Sequence, residues 1–161
     1  MSINMSSPTP DTQWKPNTTV AALIERDGRL LMVREQTEHG LRLNQPAGHL
    51  EYGETLLQAV TREALEETGY AAQPVALCGI YLADKDNDSD ITYLRFAFVC
   101  EAGAAPIRSQ LDDGIVEAVW LTPAEIRAQQ AIWRSPLVGR CIDDYLAGQR
   151  LPLSCIYHLG H

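Results

Sequence analysis

The sequence predicts a mixed α/β fold, one β-sheet flanked by helices in a single globular domain. Three observations lead there. Strand-like apolar runs alternate with helix-like amphipathic segments along the chain, with no internal repeat. Two helix starts carry explicit capping residues, at Thr55 and Thr122. Finally, 161 residues that are 45% hydrophobic and 21% charged suffice for one real core.

Taken in order, residues 1–17, MSINMSSPTPDTQWKPN, lack the apolar run of a signal peptide and are expected to be a flexible leader, with the domain spanning 18–161. TVAALIE and RLLMVRE flank Arg26-Asp27-Gly28, a turn-forming junction that predicts a hairpin. QTEHGLRLNQPAGHLEYGE, punctuated by Pro46, Gly48 and Gly53, is expected to be a loop. A helix starts after Thr55, where threonine and Gln58 satisfy each other's backbone donors. QPVALCGIYLA and ITYLRFAFVC predict two strands around the polar loop DKDNDSD. GIVEAVWL is a further strand, and Thr122-Pro123-Ala124-Glu125 combines a capping box with proline at the first helical position. Ser135-Pro136 opens a last helix that runs through about Ala147 and ends at Gly148.

Charge narrows the function classes. A formal net charge of −8 argues against electrostatic capture of nucleic acid or an anionic membrane, both of which need a basic face. A small phosphorylated substrate is compatible, provided cations bridge the repulsion. Cys78, Cys100, Cys141 and Cys155 lie far apart without CxxC spacing, so they read as reduced core thiols of a cytoplasmic protein. Separately, a monomer or small homo-oligomer is expected.

The stretch REALEET places Glu63, Glu66 and Glu67 within one arc of the first helix, because residues three and four apart share a face. Like charges at that spacing cost an isolated helix roughly 0.2–0.5 kcal/mol per pair, and carboxylates in a last turn oppose the helix dipole. The arc adjoins the apolar stripe Leu56, Leu57, Val60 and Ala64, so the acids sit at the rim of the buried face. A divalent cation turns that repulsion into a gain. Carboxylates without histidine or thiolate suit a hard ion, Mg²⁺ or Mn²⁺, which takes substrate phosphates as further ligands.

Gly48, Glu54, Arg62, Glu63, Glu66, Glu67 and Gly69 fit the pattern G-x5-E-x7-R-E-U-x-E-E-x-G-U at every fixed position, with Tyr70 in the last aliphatic slot. The chain therefore resembles the Nudix hydrolases, and the resemblance extends from about Thr18 to Leu153. NQPAGHLE, YLRFAF, RSPLV and GQRLPL are similar to the bacterial NudJ-type phosphatase subgroup. Family resemblance implies an α/β/α sandwich and metal-dependent hydrolysis of a diphosphate joined to another group. The subgroup implies action on hydroxymethylpyrimidine pyrophosphate, thiamine pyrophosphate and nucleoside di- and triphosphates. The alternatives are an ADP-ribose or nucleoside-diphosphate-sugar pyrophosphatase, or a non-catalytic nucleotide-sensing module. Carried over by position, Glu63, Glu66 and Glu67 hold the metals, with the carbonyl of Ala47 as another ligand, while Glu54 and Arg62 brace the loop-helix-loop. Many relatives place another carboxylate where this chain has Gly114. Asp112 and Asp113, just upstream, stand as substitutes for that base or ligand, or as turn-shaping residues.

Four further residues are candidate substrate contacts: Arg95 for phosphate, and His49, Tyr81 and Tyr93 for a base or pyrimidine. The competing reading makes the tyrosines core, Arg95 a surface ion-pair member and His49 an exposed spacer. Asp84, Asp86, Asp88 and Asp90 alternate like a calcium loop, yet lack its glycine and its closing glutamate, and read as a solvated hairpin loop. Trp120 and Trp133 are expected to pack.

Overall fold

The computed structural model describes residues 13–85 and 90–160. Most of the expected leader, and Asp86 and Asp88 of the acidic loop, lie outside the described residues.

The expected hairpin forms from β1 (Asn17–Arg26) and β2 (Arg29–Thr37). Asp27 and Gly28 both take positive φ, 53° and 76°, the backbone that a two-residue turn needs to match the strand twist. The segment expected to be a loop contains two strands, β3 (Gly40–Asn44) and β4 (Ala47–His49). Both are short, and their glycines and proline mask them as a loop. Leu43 is nonetheless fully buried, and β3 pairs along β2 from Thr37 opposite Gly40 to Val33 opposite Asn44.

Helix α1 (Leu56–Thr68) follows the anticipated capping box: Gln58 N–H donates to Thr55 Oγ1 at 3.1 Å, and Thr55 N–H to Gln58 Oε1 at 2.9 Å. It ends at Gly69, whose φ of 79° and contact with the Arg108 carbonyl exclude a side chain. Next come β5 (Ala72–Asp84), β6 (Thr92–Ala102) and β7 (Ile115–Leu121). Helix α2 (Pro123–Ala128) is capped by Thr122, which accepts the Glu125 N–H at 3.2 Å. Helix α3 (Leu137–Leu146) is one residue shorter than expected, and Gly148 takes φ 82° just beyond it.

The sheet is mixed and seven-stranded, ordered β3-β2-β1-β6-β5, with β4 added to β1 and β7 to β2. Among the paired strands of the described residues, β1 and β6 alone run parallel. Alternation along β1 divides the core: Val20, Ala22 and Ile24 pack with Ala59, Val60 and Ala64 of α1, whereas Ala21 and Leu23 pack with Val138, Cys141 and Ile142 of α3. One helix layer covers each face, giving the α/β/α sandwich. Among the described residues, no helix is long and apolar enough to cross a membrane.

Cys78, Cys100 and Cys141 are buried free thiols, but Cys155 is exposed, contrary to expectation. It ends a short 3₁₀ turn, Leu153–Cys155, in which Leu153 packs against the α1-side core and the cysteine faces outward. Both tryptophans pack as expected: Trp120 meets Tyr70 edge-on with ring centroids 5.7 Å apart, and Trp133 Nε1 donates to the Ile126 carbonyl at 2.9 Å.

Candidate active site

The site begins where β1 holds β4. Hydrogen bonds from Ala22 to Pro46 and from Leu50 to Thr18 bracket the pairing, so Ala47 and His49 occupy the positions whose backbone groups turn away from β1. Those groups face α1. The Ala47 N–H donates to Glu67 Oε1 at 2.7 Å, and the His49 carbonyl accepts from Arg62 at 3.0 Å. Between them, Gly48 lies so close to the Glu63 carboxylate that any β-carbon would overlap it.

Arg62 organises the acids. It donates to both oxygens of Glu54, at 3.0 and 2.7 Å, to Glu63 at 2.8 Å and to Glu66 at 3.1 Å. The i,i+4 bond from Arg62 to Glu66 is thus one of several. Its hydrogen bonds hold the Glu54 carboxyl below the usual range. One guanidinium cannot neutralise the rest. Burial pushes the Glu63 carboxyl up against Arg62's pull, and the charges of Glu66 and Asp112 add to the rise. Glu67, 7% exposed, is pushed up to about 9 by burial, with the charges of Glu63, Glu35 and Asp112 adding to it.

Asp112 enters through the β6–β7 connection. That segment is laced to the end of α1 by backbone bonds from Ile107 to Gly69 at 2.8 Å and from Asp112 to Glu66 at 2.9 Å. Carboxylate oxygens of Glu63, Glu66 and Asp112 all lie within 4.8 Å of one another. Asp113 is exposed and outside this group, and Gly114, at φ 87°, serves the turn into β7. Tyr70, the departure from the aliphatic slot, hydrogen-bonds Trp120 Nε1 at 3.2 Å. Arg26 stacks near both rings and donates to the Ala102 carbonyl at 2.9 Å, tying the start of the same connection.

These residues fit a hard divalent cation: all donors are oxygens, they converge, and their mutual repulsion exceeds what Arg62 offsets. Glu67 stands beside the three-carboxylate group with one oxygen on Ala47, whose carbonyl is free of the β1 ladder.

The candidate substrate contacts divide. His49 is exposed, with its ring 6.3 Å from that of half-buried Tyr93. Tyr81 is a strut, since its hydroxyl donates to Asp144 at 2.8 Å on the α3 side. Arg95 is buried, not a surface ion-pair member. Sequence reading missed a cation-lined cavity of about 650 Å³ between Lys85 and the segment entering α3. Its arginines come from separate elements, so no local pattern announces it; Arg127, Arg134 and Arg140 are paired with Asp143, Glu35 and Asp144.

A mixed sheet between helix layers, presenting a loop-helix-loop of carboxylates, is the architecture of hydrolases that act on phosphoanhydrides. The NUDIX domain family model matches residues 14–141. The chain belongs to the Nudix hydrolase family. It is 38% identical over 143 residues to Phosphatase NudJ of Escherichia coli strain K12, covering 89% of this chain and 92% of that protein. The structure of a NUDIX hydrolase from Nitrosomonas europaea superposes with a TM-score of 0.85 at 48% identity, covering 90% of this chain and 98% of that one. A MutT NUDIX hydrolase from Burkholderia pseudomallei shares the fold at TM-score 0.69 and 20% identity, over 81% of this chain and 98% of its own. Nudix hydrolases generally use divalent metals, and this chain is a phosphatase-like enzyme of that family.

Proposed function

We propose that the protein is a Mg²⁺-dependent phosphatase of small diphosphate compounds, acting on hydroxymethylpyrimidine pyrophosphate, thiamine pyrophosphate and nucleoside di- and triphosphates. The observation that carries this reading is the convergence of Glu63, Glu66 and Asp112 within 4.8 Å, beside buried Glu67. The likeness to Phosphatase NudJ supports the phosphatase part of this reading, and the substrate range is what the subgroup resemblance of the sequence implies.

Glu63, Glu66, Asp112 and the Ala47 carbonyl are the groups that would hold the metal, with Glu67 beside them. Mg²⁺, when bound, neutralises phosphate charge and lowers the pKa of a coordinated water. The remaining work belongs to the chain. Arg62 fixes the carboxylate arc before substrate arrives, so little reorganisation is needed during reaction. Glu54, held ionised by Arg62, locks the loop before α1 to the helix and accepts the Glu51 N–H at 2.7 Å. Glu67 is the proposed proton acceptor for the attacking water. Its Oε1 is fixed by Ala47, and its other oxygen is the one available for that proton. Exposed His49 and half-buried Tyr93, whose rings lie 6.3 Å apart, are the proposed contacts for the ring of the substrate.

The test is release of phosphate and pyrophosphate, with and without Mg²⁺, from those substrates and from ADP-ribose, with Glu67→Gln as control. Metal-dependent phosphate release from the pyrimidine compound, lost in the variant, is the expected result. Cleavage of ADP-ribose alone keeps the acidic helix but discards this substrate range. Silence on every compound removes the catalytic reading.

A further inference from the structure

On the opposite face of the sheet, β6 buries a cation. Arg95 is 6% exposed and lies beside Thr19 of β1 and Tyr81 of β5, on the face that carries Ala97 and Val99 toward α3. Its guanidinium donates to Gln45 Oε1 at 3.2 Å, more weakly to Asn44 Oδ1 at 3.4 Å, and touches Cys141 Sγ at 3.9 Å. Two of these partners are neutral amides. The third is a thiol that burial keeps protonated. Among the described residues, no carboxylate pairs with Arg95, and its Nε is the one buried side-chain nitrogen or oxygen without a hydrogen-bond partner. Asp144, whose charge reaches Cys141 on this side, is already committed to Tyr81 at 2.8 Å and Arg140 at 3.1 Å.

A buried charge without a counter-charge is costly. A strut between β6 and the Asn44-Gln45 corner needs only amide contacts, which an uncharged side chain supplies. The fold leaves the charge without a counter-ion and the Nε–H without a protein partner. Their place is informative. Arg95, Thr19 and His49 stand in one row across β6, β1 and β4, about 10 Å from end to end at ordinary strand spacing. Ala47, which contacts Glu67, is two residues from His49 on β4.

We infer that Arg95, oriented by Asn44 and Gln45, is an anion subsite that receives a phosphate or carboxylate of the substrate other than the groups held at the acidic helix. A guanidinium presents a planar fork matched to either oxyanion. The subsite rests on the hydrolase reading above and selects substrates with one more oxyanion than a simple diphosphate, such as nucleoside triphosphates.

The experiment follows thermal unfolding of the full chain, stripped of metal on a chelating resin, at constant ionic strength. Inorganic phosphate and acetate are the probes, and wild type is compared with Arg95→Met and Arg95→Gln. Phosphate is expected to raise the unfolding temperature of wild type but of neither variant, since only the native cation binds it. Without phosphate, Arg95→Met is expected to unfold no lower than wild type, because the unpaired charge is gone. A response to acetate and not to phosphate identifies a carboxylate as the ligand. Separately, Arg95→Gln should raise KM for nucleoside triphosphates roughly tenfold more than for diphosphates. Equal phosphate shifts in all three proteins, or no shift in any, overturn the subsite and leave a strut or a water-satisfied guanidinium. Because unfolding is read without metal or turnover, this failure is distinct from that of the hydrolase reading, which falls if Glu67→Gln stays active.

Discussion

The two faces of the sheet bury charge of opposite sign and handle it differently. On the α1 face, carboxylates are crowded beyond what Arg62 offsets, so burial raises Glu63 and Glu67 together. On the α3 face, a single guanidinium meets only neutral partners. The surface ion pairs around α3, Arg127 with Asp143 and Arg140 with Asp144, are by contrast closed locally. Charge left open in the interior marks where the fold is not organised for its own stability. A metal complex of an anionic substrate is the kind of ligand that needs both signs.

The sharpest way to break this contrast is on the acidic face. Glu67→Gln keeps an acceptor for the Ala47 N–H but cannot ionise, so turnover should fall on the order of a thousandfold with the circular dichroism spectrum unchanged. Asp112→Asn should weaken metal affinity roughly 10- to 100-fold by calorimetry, whereas exposed Asp113→Asn should stay near wild type. If the two aspartate variants behave alike, the three-carboxylate group is not the binding unit.

A third expectation concerns pH. In metal-free protein the Glu67 carboxyl stays protonated when folded up to about 9, against 4.5 for the free group. Between those values the unfolded chain binds fewer protons, so stability falls as pH rises through the window. Divalent cation favours the ionised form and opposes the loss. Thermal melts at low and high pH, with and without Mg²⁺, should show the two conditions diverging as pH rises; parallel curves would remove the repulsion from the account. The smallest effect is at Tyr70→Leu, which loses the Trp120 hydrogen bond and edge contact. It should cost about 1 kcal/mol in denaturant unfolding.

The acidic helix was legible because its signals are local: caps, glycine and carboxylates keep fixed spacings on a chain whose geometry is set by helical periodicity. The strands flanking it were less so. β3 and β4 hide in a glycine- and proline-punctuated stretch, and only pairing with β2 and β1 makes them strands. The choice between Asp112 and Asp113 lay beyond the sequence, since it turns on a backbone bond to Glu66 from a distant segment. Arg95 shows the same limit. Strand alternation assigns its face, but whether α3 covers that face with acids or with amides depends on residues from β3 and the far end of the chain. Cys155 was misjudged for the converse reason, because an apolar neighbourhood in sequence need not be buried.

On the proposed reading, the carboxylates of α1 hold the catalytic cation. The most direct measurement is Mn²⁺ binding by calorimetry in wild type and in a Glu63→Gln/Glu66→Gln double variant, beside phosphate release from the same samples. Loss of Mn²⁺ binding and of phosphate release together, in a variant that remains folded, is the expected result. A folded double variant that still binds Mn²⁺ and still releases phosphate would contradict it.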